Sequence, residues 1–368
     1  MKKVLLLFCC AITSALSAQT NSQLADSVKK GFRGLSVVNE NVLWMSGQKG
    51  LVGVSTSGGK KWKWNRVKGF EKSDFRSIYA FDKKNCVIAN AGFPATILFT
   101  TNAGKTWTTS YSSNDSAMFF DGIDFWLSPS GDNKHGLIFG DPVNGRMYLS
   151  ETFDGGKTWK EIPFENRPQL EEGEAAFAAS GTTIRTLPDG HVFIATGGKV
   201  SRLWHSRDYG HHWEVFNTPI LQGKPSQGIF SIAFYDTLNG IIVGGDYLND
   251  SLEGGNIFMT NDGGHTWGIQ KQLVKGYFSS VEYIHDKTVI LATGTGQTIK
   301  SYNGGGFWWS SAYNTPKSAF GNNTIRMTEN KKGVTIFFCG GLDGFHKIYE
   351  PVRSKRKIFK RKAIVGIG

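Results

Sequence analysis

Residues 152–159 read TFDGGKTW, an octapeptide that predicts a tight hairpin between two antiparallel strands. Thr152, Asp154, Gly156, Thr158 and Trp159 match the pattern Ser/Thr-x-Asp-x-Gly-x-Thr-Trp. An Asp side chain in such a turn accepts hydrogen bonds from nearby backbone N–H groups, and Gly supplies the positive φ where the chain reverses. The Trp then begins the next strand and offers a large apolar surface to a neighbouring sheet. We call this pattern a box.

Five more boxes follow the same pattern with increasing decay. They are Thr260–Trp267, Ser206–Trp213 with His212 in place of Thr, Thr100–Trp107 with Asn102 in place of Asp, and the worn copies Ser301–Trp308 and Ser55–Trp62. Successive box tryptophans are 41 to 54 residues apart. A repeat of about 40 to 50 residues that is rich in short strands, Gly and aromatics is typical of a β-propeller with one four-stranded blade per repeat.

Seven apolar strands set the number of blades. They are the second strands of the repeats: NVLWMSG, NCVIANAG, HGLIFGD, HVFIATGG, NGIIVGGD, TVILATG and VTIFFCGG. We therefore predict an all-β fold, a single seven-bladed β-propeller over residues 32–350, with box hairpins between the third and fourth strands of six blades. The seventh repeat has no box. Its missing strand would come from residues 22–30 or from the tail near Ile358 and Phe359.

The N-terminus has the pattern of a secretory signal peptide. Lys2 and Lys3 precede an apolar run from Val4 to about Ile12, and small residues end at Ala18. We expect residues 1–18 to be removed, residues 19–31 to form an N-terminal segment, and the protein to act in the periplasm or outside the cell. Cys9 and Cys10 leave with the signal, so Cys86 and Cys339 remain; they lie in distant repeats and are expected to be buried thiols.

The formal charge of +12 is concentrated at the two ends of the chain. Lys2, Lys3 and seven basic residues of the tail 351–368 account for nine charges, and subtracting them leaves +3 for the body. The body therefore gives no reason to expect nucleic acid as a partner. The tail is interpreted as a solvated terminus or a lysine-protected edge; the alternative is a weak electrostatic contact with an anionic membrane surface.

Charged residues recur at one position of the first strands, which line the central channel of a propeller. The aligned residues are Arg33, Arg76, Asp121, Arg185 and Arg326, with Asp141, Glu174, Asp246 and Glu282 as candidate acidic neighbours. Arginines grouped in this way suit bidentate recognition of a carboxylate or phosphate. We predict either an axial site for a protein or an anionic glycan, or an internal salt-bridge lattice; a catalytic centre is the third alternative.

Two long inserts interrupt the repeats, at residues 163–182 and 244–256. Loops of this length on a rigid scaffold serve binding more often than folding.

Motifs for enzymatic chemistry are not found in the sequence. GTGQTI at 294–299 lacks the third Gly of a dinucleotide fingerprint, the eight histidines show no HExxH spacing, and there is no GxSxG elbow. We assign no catalytic residue, no metal ligand and no cofactor, and we expect a monomer.

The boxes, the strand starts FRGL and FRSI and the signal peptide resemble the photosystem II stability/assembly factor-like family of secreted Asp-box (BNR-repeat) β-propellers. The resemblance covers residues 32–350. It implies a seven-bladed propeller that docks a partner protein on an arginine-rich axial face, here Arg33, Arg76, Arg185 and Arg326, and does not catalyse a reaction. The first box has lost its Asp and Thr, and the basic tail is outside the family pattern.

Sialidases are the alternative, since they are also Asp-box propellers and bind a sugar carboxylate with three arginines. Phe32-Arg33 and Phe75-Arg76 lack the Ile-Pro that follows in the sialidase Phe-Arg-Ile-Pro motif, and seven repeats exceed the six blades of that fold. A purely structural envelope module is a third interpretation.

The box tryptophans are expected to pack between blades. We expect Trp159 and Trp267 to be buried there, and Trp62 and Trp308 in the worn boxes to contribute less.

Overall fold

Seven small antiparallel sheets form the protein, which is known here from a computed structural model that describes residues 31–128, 133–268, 272–310, 322–340 and 344–351. The predicted seven-bladed, all-β propeller is confirmed. The predictions for the signal peptide, residues 22–30 and the basic tail beyond Pro351 lie outside the described residues. No helix in the described ranges is long and apolar enough to cross a bilayer.

Blades 1 to 3 each contain four strands, numbered from the inside outward. Blade 1 consists of β1 (Phe32–Val37), β2 (Leu43–Gly47), β3 (Leu51–Ser55) and β4 (Lys63–Arg66). Blade 2 consists of β5 (Phe75–Ala80), β6 (Cys86–Asn90), β7 (Ala95–Thr100) and β8 (Thr108–Ser113). Blade 3 consists of β9 (Phe120–Phe125), β10 (Gly136–Val143), β11 (Arg146–Thr152) and β12 (Lys160–Glu161), and a 3-10 turn follows at Phe164–Asn166.

Blades 4 to 7 follow the same plan with two variations. Blade 4 consists of β14 (Ile184–Thr186), β15 (Val192–Ala195), β17 (Arg202–Ser206) and β18 (Glu214–Asn217). Blade 5 consists of β19 (Gln227–Phe234), β20 (Gly240–Asp246) and β21 (Ile257–Thr260), and two short strands, β13 (Glu174–Ala175) and β16 (Gly197–Gly198), extend its inner edge. Blade 6 consists of β22 (Ser280–Tyr283), β23 (Ile290–Thr293), β24 (Thr298–Ser301) and β25 (Trp309–Ser310). Blade 7 has three strands among the described residues: β26 (Thr324–Asn330), β27 (Gly333–Cys339) and β28 (Phe345–Pro351).

The blades close into a ring because the innermost strand of each blade packs on that of the next. Strand β26 of blade 7 packs directly on β1 of blade 1. The Asn323 side-chain amide donates to the Phe32 carbonyl (2.8 Å), and Lys347 Nζ donates to the Gly58 carbonyl (2.6 Å). Within the described residues the ring is therefore joined by side chains and apolar packing.

The six boxes lie in the turns that follow the third strand of each of the first six blades. In every copy the hydroxyl of the first residue accepts a hydrogen bond from the N–H of the box Gly, at 2.9 to 3.1 Å. The Asp154 carboxylate also accepts from the Thr158 N–H (2.9 Å) and hydroxyl (2.7 Å). Even the worn first copy keeps the turn, because Ser57 Oγ accepts from the Lys61 N–H (2.8 Å) in the way that Asp does elsewhere.

Each box Trp packs into the apolar layer between its own blade and the preceding blade. Trp159, for example, joins Val87, Ala89 and Ile97 of blade 2. The prediction of inter-blade packing is confirmed, but the ranking of the tryptophans is wrong. Trp308, in a worn box, is 4% exposed, whereas Trp159 and Trp267 are half-buried. Burial follows the neighbouring blade's side chains and does not depend on how well the box itself is preserved.

The two cysteines of the propeller are buried and unpaired. Cys86 lies in blade 2 and Cys339 in blade 7, which agrees with the expectation of buried thiols. Burial raises the pKa of Cys339 to about 12, so this thiol is held in its unreactive protonated form.

Candidate functional site: an axial cavity

The inner strands of blades 1, 2, 3 and 5 have a β-bulge at the position where the charged residues recur. Arg33, Arg76, Asp121 and Phe230 each occupy the residue at which the pairing with the second strand shifts register. A β-bulge of this kind bends the strand and redirects the side chain of the extra residue. The sequence FR or FD at the start of a blade therefore marks a bulge at the entrance of the channel.

Arg185 and Arg326 do not belong to this position, and the prediction of one ring of four arginines is wrong. Arg185 pairs regularly with Phe193, and Arg326 pairs regularly with Phe337. The strand pairings can be followed inward from the first box residue of each blade. In blades 3 and 4 these pairings align Arg185 with Asp124, which lies three residues beyond Asp121. Three residues of a strand correspond to about 10 Å, so the arginines form two levels in the channel.

The deeper level is an internal salt-bridge lattice. Glu282 Oε1 accepts from Arg185 Nη2 (2.5 Å) and from Arg326 Nη1 (3.0 Å), which joins blades 4, 6 and 7. Asp124 accepts from the Thr186 N–H (2.9 Å), and burial raises its pKa even though the Arg185 and Arg326 charges act to lower it. Burial, then the Arg185 charge, lower the pKa of Arg326 to about 10. These groups satisfy one another, as the lattice interpretation predicts.

The level at the entrance is different because Arg33, unlike the deeper arginines, lacks a carboxylate partner among the described residues. Arg33 makes no ion pair within the described residues, and its Nε is buried without a hydrogen-bond acceptor. Burial and the neighbouring Arg76 guanidinium both lower the pKa of Arg33. Arg76 contacts the Asp74 carboxylate through Nε (2.8 Å). An anion entering here would gain an unpaired guanidinium with two or more free donors.

A cavity of about 300 Å³ opens between these two arginines. Its other walls are aromatic or small: Phe177, Ala178, Ala179, Phe230, Tyr247, Tyr277 and Thr295. Phe177 and Phe230 stack at 3.8 Å between ring centroids, and Tyr277 meets Phe230 edge-on at 4.7 Å. Tyr247 is half exposed, with 51% of its surface accessible. The cavity thus combines positive charge with a rigid apolar wall.

Both long inserts contribute residues to this cavity, and their role in binding stays a prediction. Residues 176–183, which we call the axial segment, lie across the entrance and bond to several blades. Ala176 N–H donates to Asp141 Oδ1 of blade 3 (3.0 Å), and Ser180 Oγ donates to the Ser279 carbonyl beside blade 6 (2.6 Å). The Ala179 carbonyl accepts from Arg33 Nη1 of blade 1 (3.1 Å). The second insert supplies Tyr247.

Asp121 lies beneath the axial segment and is fully buried. Neither of its oxygens has a hydrogen-bond partner of good geometry within the described part of the chain. Burial and the nearby Asp141 carboxylate raise its pKa well above the usual range, against lowering by Arg76 and by the Ala178 and Asp141 amides. Asp121 therefore does not neutralise Arg33 in the way that Glu282 neutralises the deeper pair.

The remaining predicted acidic residues serve local structure. Glu174 is buried and accepts three hydrogen bonds from Arg202: Nε donates to both carboxylate oxygens (3.1 Å each), and Nη2 donates to Oε2 (2.5 Å). Asp246 ends β20 and accepts from the Leu248 N–H (3.0 Å), which shapes the second insert. Asp141 holds the axial segment, as described above. Phe177, Tyr247 and Tyr277 line the cavity but were not predicted from the sequence. Phe177 and Tyr247 could have been proposed because they lie inside the two long inserts.

No protein-family model matches the sequence, and no curated protein is similar enough to it to count as a relative. Solved structures do match. One is YCF48 bound to D1 peptide, with 16% identity, a TM-score of 0.60, and coverage of 88% of this chain and 94% of that chain. Another is YCF48 from Cyanidioschyzon merolae, with 16% identity, a TM-score of 0.58, and coverage of 88% of this chain and 96% of that chain. A third is the WD40 β-propeller domain of Doa1, with 12% identity, a TM-score of 0.55, and coverage of 89% of this chain and 94% of that chain. At these identities the likeness establishes the fold, so the chain is a seven-bladed β-propeller built like YCF48 and the WD40 propellers.

Proposed function

We propose that this protein is a non-catalytic binding module that takes an acidic segment of a partner protein into the axial cavity. The observation that carries the proposal is the Arg33 guanidinium, which is partly buried, lines the cavity and has no carboxylate partner among the described residues. A charged group in that state is costly to the free protein, and a ligand carboxylate would offset the cost.

The aromatic wall favours a peptide over an inorganic anion. Phe177, Phe230, Tyr247 and Tyr277 give a rigid apolar surface beside the two arginines, which suits an acidic residue or chain terminus next to an apolar side chain. A fold neighbour, YCF48, has been solved with a D1 peptide bound, which supports peptide binding as a use of this architecture. An exported location, inferred from the N-terminal pattern, is part of the same proposal.

The sialidase alternative is less well supported. It needs three arginines around one sugar carboxylate, but the described cavity is lined by two, and Arg185 and Arg326 are already held by Glu282. Hydrolysis of a fluorogenic sialoside by the wild-type protein would restore that alternative.

An array of twelve-residue peptides tests the proposal. Each peptide carries a central or C-terminal acidic group beside Leu or Phe, and each has a partner in which the acid is replaced by its amide. The wild-type protein is expected to prefer the acidic member of a pair by about tenfold or more, and Arg33→Gln to lose that preference. Arg207→Gln, which removes an exposed arginine on blade 4, is the matched control and should bind like the wild type. Equal binding of acid and amide peptides by the wild type would overturn the proposal.

A further inference from the structure

A second positively charged surface lies away from the axis, in a groove between the outer parts of blades 1 and 2. It encloses about 510 Å³, which is more than the axial cavity. Five lysines line it: Lys61, Lys63, Lys83, Lys84 and Lys105. Four of them come from three separate turns, namely the box turn of blade 1, the turn between β5 and β6, and the box turn of blade 2, and Lys63 begins strand β4. We call this surface the lysine groove.

The five ammonium groups have no carboxylate partners among the residues that the structure describes. All five residues are exposed, and the lysine ion pairs of the described chain involve Lys199 and Lys300 instead. The one acidic residue in these turns is Asp82, whose carboxylate is occupied by the N–H groups of Lys84 and Asn85 and by the Asn85 amide. Five unpaired charges in one groove are notable because the propeller body carries a formal charge of only +3.

Besides the lysines, the groove is lined by three apolar residues, one of them aromatic, and by the polar residues Thr56, Ser57, Thr101 and Asn102. Val54, Ala103 and Trp62 lie between the lysines, and Trp62 is fixed by stacking on Trp64 at 5.1 Å and by an edge contact with Phe345 at 5.0 Å. A linear polymer with repeated anionic groups would place those groups against lysines of all three turns. Lysine is a flexible point charge, so it accommodates sulfate or carboxylate groups without the fixed fork geometry of arginine.

We infer that the lysine groove binds an acidic polysaccharide. The groove is concave, and none of the exposed large apolar side chains in the described ranges lines it, so it offers nothing to insert into a bilayer. Single-stranded nucleic acid is bound through several stacking rings, and Trp62 is the one aromatic side chain of the lining. This inference is independent of the axial cavity and of the proposed peptide ligand.

Titration calorimetry of the full-length chain with a heparin dodecasaccharide tests the inference. The variant Lys63→Gln/Lys84→Gln/Lys105→Gln removes one charge from the start of β4, one from the turn between β5 and β6, and one from the box turn of blade 2. It is expected to bind at least about tenfold more weakly than the wild type and to lower the slope of log affinity against log salt by about three. Because all three side chains are exposed, its melting temperature should match that of the wild type. The control Lys224→Gln/Lys331→Gln/Lys332→Gln changes net charge equally at exposed positions elsewhere and should bind within twofold of the wild type.

Two results would overturn the inference. One is equal weakening in both triple variants, because binding would then follow net charge and not the groove. The other is an unchanged affinity in the groove variant. Binding of single-stranded DNA and of phosphatidylglycerol vesicles is measured in parallel. If the groove variant loses affinity for the DNA or the vesicles but keeps its affinity for the oligosaccharide, the inferred class of ligand is wrong. The Arg33→Gln variant should retain oligosaccharide binding.

Discussion

Arg33 Nη1 donates to the carbonyl oxygen of Ala179 at 3.1 Å, and this bond joins the first blade to an insert 146 residues later in the chain. It fixes one side of the axial cavity but leaves the charge of Arg33 without a carboxylate within the described residues. The deeper arginines Arg185 and Arg326 share Glu282 instead. The channel therefore has one level where Arg33 has no described carboxylate partner and one level held by a salt-bridge lattice, and the two levels should respond differently to mutation.

The lattice level should be required for stability. Glu282→Gln leaves Arg185 and Arg326 side by side without their shared carboxylate, so we expect a loss of about 3 to 5 kcal/mol in the free energy of unfolding. Urea denaturation measures it. Glu214→Gln, which removes an exposed partner of Arg207, is the control and should cost less than about 1 kcal/mol. Similar small losses in both variants would contradict the lattice.

Trp308 should contribute more to stability than Trp159, although the box of Trp308 matches the pattern less well than the box of Trp159. Trp308 is 4% exposed and packs in the layer between blades 5 and 6, so Trp308→Ala should cost about 3 to 5 kcal/mol. Trp159 is half-buried, and the cost of Trp159→Ala should be clearly smaller. Denaturant midpoints of the two variants decide the ranking, and the reverse order would mean that the box sequence governs the packing.

Acid should destabilise the protein through His205. This residue is buried, its ring stacks on Phe193 at 4.0 Å, and its Nε2 lies 3.0 Å from His191 Nδ1. Burial, followed by His191, Arg207 and His265, lowers the pKa of His205 to about 3. Because an unfolded His titrates near 6.5, the unfolded state binds the extra proton between about pH 6.5 and 3. The stabilisation from neutral His205 is therefore complete above pH 6.5 and decreases as the pH falls through that window.

Melting temperatures of wild type and His205→Gln from pH 7.5 to 4 test this dependence. The variant should show a shallower loss of stability on acidification than the wild type. Parallel curves for wild type and His205→Gln would exclude His205 as a source of the acid sensitivity.

The repeat architecture could be predicted from the sequence because its signals are local. A box hairpin needs a hydroxyl, an acceptor and a Gly within a few residues, so each blade is marked by its own turn. Even Ser55 and Ser57 of the worn first box make the expected bonds. Seven apolar second strands then gave the correct blade count. The burial of Trp308 could not be predicted in this way, because it depends on side chains of the neighbouring blade.

The register of the arginines was mispredicted because it depends on bulges and loop lengths. Arg76 and Arg185 follow Phe and Ile at the starts of similar strands, but Arg76 is the extra residue of a bulge and Arg185 is in regular pairing. The hairpin from first to second strand also varies in length between blades, so counting along the chain does not reveal the level. The crossing of the axis by residues 176–183 is a non-local feature, set by bonds to blades 1, 3, 5 and 6.

The central claim is that Arg33 and Arg76 serve a ligand and not the fold, and the double variant Arg33→Gln/Arg76→Gln tests it most directly. Its free energy of unfolding and its affinity for an acidic peptide selected on the array are measured together. Removing both guanidiniums ends their mutual repulsion, which offsets the loss of the Arg76–Asp74 ion pair (2.8 Å). Stability should therefore stay within about 1 kcal/mol of the wild type, while affinity falls by about tenfold or more. Unchanged affinity, or a loss of stability as large as that of Glu282→Gln, would contradict the account.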